Sequence, residues 1–200
     1  MVIDKDFLSD LSVNILSVPS DEDWLMSKKL AYRTIGKETE KQPDEQWKRM
    51  ILRAEHSPIR NLLVRWEWIN LPYWVSVHFV RHKIGIEHYV RSQRNDRQSE
   101  YDRNTAPQNA AVTHACVANL QAIINISKVR LCKQASYETR YAWVMFLGEL
   151  INHMPEVQDF CQPTCIYRNG ICPEPRSCGF NKTSQFNKLS DAYKLLFDKE

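Results

Sequence analysis

The sequence predicts an α+β domain, on three observations. From Leu62 to Trp68, the residues Leu62, Val64, Trp66 and Trp68 alternate with Leu63, Arg65 and Glu67. That period of two belongs to a strand with one aromatic face. Segments of helical period with start and stop signals lie on both sides of it. Hydrophobic residues make up 43% of the 200 positions, enough to bury a core, which argues against global disorder.

The elements follow in order. Ser20 is placed to cap a helix whose first turn carries Asp21, Glu22 and Asp23. "DEDWLMSKKLAYRTI" (21–35) continues it, with Trp24, Leu25, Leu30 and Ala31 on or near one face. "DEQWKRMILRAEH" (44–56) predicts a second, shorter helix. The aromatic strand stops at Asn70, Leu71 and Pro72, and Pro72 suits the first turn of a helix over "YWVSVHFVRHK" (73–83). Its closing cations suit a helix C-terminus. From Asn104 to Ser127 there is no Asp, Glu, Lys or Arg. This predicts a long uncharged helix buried on most sides, interrupted by Gln108, Asn109, Thr113, His114, Asn119, Gln121 and Asn125. Buried amides need partners, from backbone, a neighbouring copy or a ligand. An amphipathic helix from about Gln134 to His153 ends before Pro155. No internal repeat is evident. The organisation is one domain over 1–160 with a cysteine-containing tail over 161–200 that is not an independent domain.

Composition narrows the function classes. The formal net charge of +3 is too mild to imply nucleic acid by itself. "MVIDKDFLSDL" carries acids where a signal peptide would carry cations. No uncharged apolar run reaches membrane length. The expected setting is the cytoplasm, where six cysteines stay reduced.

What composition does not explain is local. "VRHKIGIEHYVRSQRNDR" (80–97) holds Arg81, Lys83, Arg91, Arg94 and Arg97, with His82 and His88, against only Glu87 and Asp96. Guanidinium groups beside apolar structure are costly unless an anion meets them. Arg81, Arg91, Arg94, Arg103 and Arg130 are therefore candidates to grip a phosphorylated ligand. The other reading is a solvated surface paired with Glu87, Asp96, Glu100 and Asp102. In the tail, Cys161, Cys165, Cys172 and Cys178 could close a tetrahedral zinc site, although their spacings are not those of paired CxxC knuckles. The alternative is a loop of free thiols. Cys116 and Cys132 read as packing residues.

Several motifs, in order, resemble those of the flavin-dependent thymidylate synthases, the ThyX family. Arg81-His82-Lys83, eight residues, then Ser92 resembles the family's Arg-His-Arg…Ser signature. "EHSPIRN" resembles the segment before its first strand. Counting back from Arg130, the residues Asn125, Gln121, Asn119, Pro107 and Arg103 fall at matching offsets. The ending "GICPEPRSCG" is similar to cysteine-containing tails of the family. The match spans about Glu55 to Gly179.

The resemblance implies a small mixed or antiparallel sheet with flanking long helices and a helical core at an oligomer interface. It implies a homotetramer with FAD at subunit interfaces, methylating dUMP to dTMP with methylenetetrahydrofolate and NADPH. It assigns nucleotide binding to His78, Arg81, Ser92, Arg94, Arg103 and Arg130, with Arg130 also activating the uracil ring. It assigns flavin contacts to Ser57, Asn61, His82, Lys83, Asn119, Gln121, Asn125 and Gln134. The chain departs from the family where Lys83 and Gln121 replace arginines, Asn61 and Gln134 replace histidines, and Arg60 stands where an acid is common. Only "QRNDRQSEYD" separates Ser92 from Arg103, where family members carry a longer helical segment that shapes the folate side. A pyrimidine-nucleotide hydroxymethylase on the same scaffold is the alternative enzyme. A non-catalytic nucleic-acid-binding module is the alternative from another class.

Overall fold

The computed structural model describes residues 8–98 and 102–197. Glu100, one of the acids of the solvated-surface reading, lies outside the described residues. Four strands, β1 (Ser12–Ser17), β2 (Leu63–Pro72), β3 (Ile86–Val90) and β4 (Ala111–Asn119), form an antiparallel sheet in the order β1-β2-β4-β3. Seven α-helices accompany them among the described residues: α1 (Asp21–Arg33), α2 (Glu45–Arg53), α3 (Tyr73–Phe79), α4 (Leu120–Arg130), α5 (Tyr137–His153), α6 (Thr164–Tyr167) and α7 (Ser184–Lys194).

The expected aromatic strand is β2. Val64, Trp66 and Trp68 are 0% exposed, while Leu63, Arg65 and Glu67 face away. Trp66 stacks on Phe146 of α5, centroids 4.2 Å apart, and Trp68 stacks on Phe79 of α3 at 4.6 Å. Trp68 Nε1 donates to the Ala142 carbonyl at 2.9 Å, and Trp143 Nε1 donates to Ser127 Oγ at 3.0 Å. These bonds let indoles sit in the core without orphaned donors. Trp66 Nε1 is the exception, buried with no partner.

The helix starts follow their caps. Ser20 and Asp23 form a capping box at α1, Asp44 caps α2, and Ser136 caps α5. The expected helix over 73–83 ends four residues early. Val80 closes it, so Arg81, His82 and Lys83 lie in the turn that leads to β3.

The uncharged segment is a correction. It is not one helix. It opens with a turn over 104–110 and continues as β4, with Val112, His114, Cys116 and Ala118 buried in alternation, and only Leu120 onward is helical. The physical reason is position. β4 lies between β2 and β3, so both of its edges are hydrogen-bonded and neither offers a place for charge. The burial that suggested a helical core at an oligomer interface is thus supplied within one chain. β1 and β3 also went unpredicted, because each is short and only half-buried.

Tyr167 and Leu196 from beyond residue 160 pack on the main core. Ile166, Phe180 and Phe186 form a small cluster of their own.

Candidate functional site

The cations of 81–83 meet the end of α4. Arg130, its last residue, is half-buried. Arg130 Nε donates to His82 Nε2 at 2.8 Å and Nη2 donates to the His78 carbonyl at 2.6 Å. The guanidinium lies 5.9 Å from the Phe79 ring. His78 Nδ1 is 2.9 Å from Thr139 Oγ1, which accepts from Ser136 Oγ at 2.7 Å, so the α5 cap braces the end of α3. Arg81 is exposed, yet its charge is felt at His78, His82 and Arg130. The fold therefore gathers His78, Arg81, His82 and Arg130 in one place.

The electrostatics follow. Burial, then the Arg130 charge, pushes His82 down to about 4. Burial, then Arg130 and Arg81, lowers His78. Both imidazoles are neutral at neutral pH, consistent with His82 Nε2 accepting from Arg130. Burial, then Arg81, lowers Arg130 itself. Among the described residues no carboxylate pairs with Arg130. Of the five N–H groups of a guanidinium, two are spent on His82 and His78, which leaves three.

Behind this cluster runs a buried relay that sequence reasoning missed. His88 Nε2 lies 2.8 Å from the His82 carbonyl and must donate to it, so His88 Nδ1 is an acceptor. His114 Nε2 approaches that nitrogen at 3.0 Å and Cys116 Sγ at 3.4 Å. His114, on β4, is fully buried, is held at about 3 by burial and the neighbouring His88, and keeps Nδ1 without a partner. The three ligand-type atoms lie within 4.8 Å of one another. Burial pushes the Cys116 thiol well up, so it stays a protonated donor, and we read the group as hydrogen-bonded. The relay fixes the peptide of His82 and through it Arg130. The signal was available: His88 pairs with Cys116, and His114 with Val90, across β3 and β4.

The remaining expected residues fall into other groups. Ser92, Arg94 and Arg103 lie exposed between β3 and β4. Arg94 Nε and Nη2 donate to Asp96 at 2.8 and 2.6 Å, so here the solvated, paired reading holds. The Arg103 backbone N–H donates to Asn95 Oδ1 at 3.2 Å. Among the described residues no hydrogen bond or ion pair links this group to Arg130. Asn119 caps α4 through the Ala122 N–H at 2.9 Å and packs on Gly85. Gln121 donates to Glu55 at 2.5 Å, and Lys128 bridges Glu55 and Asn125 at 2.8 and 3.3 Å. Glu55 and Lys128 were also missed. Gln134 donates to the Arg176 carbonyl and is drawn toward the tail. Ser57, Asn61 and Lys83 are exposed.

The chemistry of this donor set fits a flavin in part. Ser57, Asn61, Lys83 and Asn125 are exposed and offer donors and acceptors for its polar edges, and His82 and Asn119 stand fixed beside the turn 81–85. Gln121 and Gln134 are engaged elsewhere. A cavity of about 920 Å³, lined mainly by residues of α1, α2 and the C-terminal end, shares no residue with the Arg130 cluster.

The tail cysteines divide. Cys161 is buried on the main core, against Ser127 and Lys128, and burial raises it to about 12. Cys165, Cys172 and Cys178 instead line a small cavity together with Cys132. Cys132 is therefore not a helix packing residue: it follows the end of α4.

Comparison with solved structures places this geometry. The thymidylate synthase ThyX from Helicobacter pylori, with FAD and dUMP, superposes with a TM-score of 0.61 at 12% identity, covering 76% of this chain and 99% of that one. The shared fold is that of ThyX. A second structure of the Helicobacter pylori flavin-dependent enzyme, complexed with FAD and dUMP, gives 0.61 at 13% over the same shares. The UMP/dUMP methylase PolB from Streptomyces cacaoi, bound with 5-Br dUMP, gives 0.59 at 12%, covering 76% of this chain and 94% of that one. No family model and no curated protein matches the sequence. No described helix is long and apolar enough to cross a membrane.

Proposed function

We propose that the chain is a ThyX-like enzyme that methylates dUMP to dTMP in a cytoplasmic homotetramer, with methylenetetrahydrofolate as carbon donor and NADPH as reductant. One observation carries the reading. Arg130 is a half-buried guanidinium, oriented by neutral His82 and the His78 carbonyl, with Arg81 beside it and, among the described residues, no carboxylate paired with it. A hydrogen-bond acceptor offsets that arrangement, either an anionic phosphate or the carbonyl oxygen of a pyrimidine. Neighbours of the same fold bind dUMP.

The proposed roles are those the family resemblance implies, and the contacts of Arg130 with His82 and His78 support the part given to Arg130. Arg81 and Arg130 hold the nucleotide and Arg130 polarises the ring. Arg103, Ser92 and Arg94 close the phosphate end from the β3–β4 connection, with Arg94 exchanging Asp96 for phosphate. His82, Lys83, Asn119 and Asn125, with Ser57 and Asn61, would hold FAD. FAD held there and reduced by NADPH would supply the hydride that completes the new methyl group; the chain's own work is binding, orientation and electrostatics.

The test is anaerobic turnover of the purified chain with dUMP, FAD, NADPH and methylenetetrahydrofolate, with the product weighed by mass spectrometry. A gain of one methyl group supports the reading. A hydroxymethyl gain moves the chain to the alternative enzyme, and no product with intact nucleotide binding makes it a non-catalytic relative.

A further inference from the structure

We propose that Cys132, Cys165, Cys172 and Cys178 form a structural zinc site that staples the C-terminal tail to the end of α4. Cys132 lies more than thirty positions before Cys165, while Cys165, Cys172 and Cys178 share one short segment. Yet all line one cavity of about 60 Å³, with Lys128 and Phe180 among its walls. Four cysteines lining one cavity, in a chain where all six cysteines are free, supply the donor set of a closed tetrahedral site. Soft thiolate ligands in that number select zinc.

Local structure supports it. Cys132 sits in the turn after α4, where the Ala135 N–H donates to its carbonyl at 3.0 Å. Gln134 also donates from its side chain to the Arg176 carbonyl, between Cys172 and Cys178. Cys165 opens a turn closed by the Gly170 N–H on the Cys165 carbonyl at 2.8 Å. Gly179, at φ +77, follows Cys178 and needs the left-handed region that lets the chain fold back. Lys133 adds positive charge at 4.9 Å from the Phe180 ring.

Zinc held at about 2.3 Å from each sulfur requires sulfurs about 3.8 Å apart. No three of these sulfurs lie within 4.8 Å of one another, unlike the His88, His114 and Cys116 group. Metal binding therefore tightens loop 171–179 onto Cys132. That places a rigid anchor two residues beyond Arg130, and the site stands whether or not the nucleotide reading does.

Native mass spectrometry of the full chain, purified under reducing conditions, tests this. One zinc per chain is expected. Cys132→Ser and Cys178→Ser should lose it and Cys161→Ala should keep it. Cys178 is exposed, so its variant reads out even if Cys132→Ser fails to fold. Cobalt in place of zinc should show the strong visible bands of tetrahedral thiolate coordination. A metal-free chain with reduced thiols, or a disulfide among the four, would overturn the proposal. So would zinc that survives Cys132→Ser and is lost in Cys161→Ala, which puts the metal on the tail alone.

Discussion

Arg130 keeps three N–H groups free because His82 and His78 take the other two. Each charge-assisted bond is worth about 1.5–3 kcal/mol. Arg130→Ala should therefore weaken dUMP binding by about 10- to 100-fold, and deoxyuridine should lose less if the phosphate is the partner. Titration calorimetry measures both; unchanged dUMP affinity removes Arg130 from the site. A second prediction concerns protons. His82 and His114 are held at about 4 and about 3, against an ordinary value of 6.5. The unfolded chain takes up these protons first, so their contribution to stability is complete above about 6.5. It is lost as pH falls through the window from 6.5 to about 3. A melting temperature that stays flat from pH 7 to pH 4 would contradict the buried neutral relay.

At the scale of elements, the turn 81–85 depends on its last residue. Gly85 has φ +73, and a Cβ there would stand 2.7 Å from the Asn119 amide that caps α4. Gly85→Ala should cost about 1–3 kcal/mol, more than Asn119→Ala, expected near 1 kcal/mol. Denaturant melts compare the two, and equal costs would mean that the turn yields freely. Trp68→Ala in β2 should cost about 3–5 kcal/mol by leaving a cavity against Phe79. Element by element, what announced itself did so through side-chain chemistry. The aromatic face of β2 and the cap at Ser20 read directly from residue types. β4 did not, because its uncharged residues satisfy both a buried helix and a strand paired on both sides. The alternation of Val112, His114, Cys116 and Ala118 decides between them, but their small and polar side chains mute it. The same muting hid the His88–His114 relay. Glu55 was invisible for another reason: its position at φ +47 beside Lys128 is a tertiary fact with no local signature.

The whole molecule is a small sheet whose aromatic face packs on α3 and α5, with the cation cluster where α3, α4 and α5 meet. Its fold was legible from spaced motifs alone, whereas the division of the arginines was not. Arg130 and Arg94 look alike in sequence; one is drawn into a half-buried corner and the other is tied to Asp96. Burial within one chain accounts for β4 and α4, so the proposed tetramer rests on the ThyX resemblance alone; sedimentation should show four copies, and a monomer would count against a cofactor site shared between copies. The central claim, that the Arg130 corner receives a pyrimidine nucleotide against a flavin, has a direct readout. Titrating dUMP into the FAD-loaded chain should perturb the flavin absorbance, and Arg130→Ala should abolish that perturbation while the chain still binds FAD. A wild-type spectrum indifferent to dUMP, or a variant that responds as the wild type does, would contradict it.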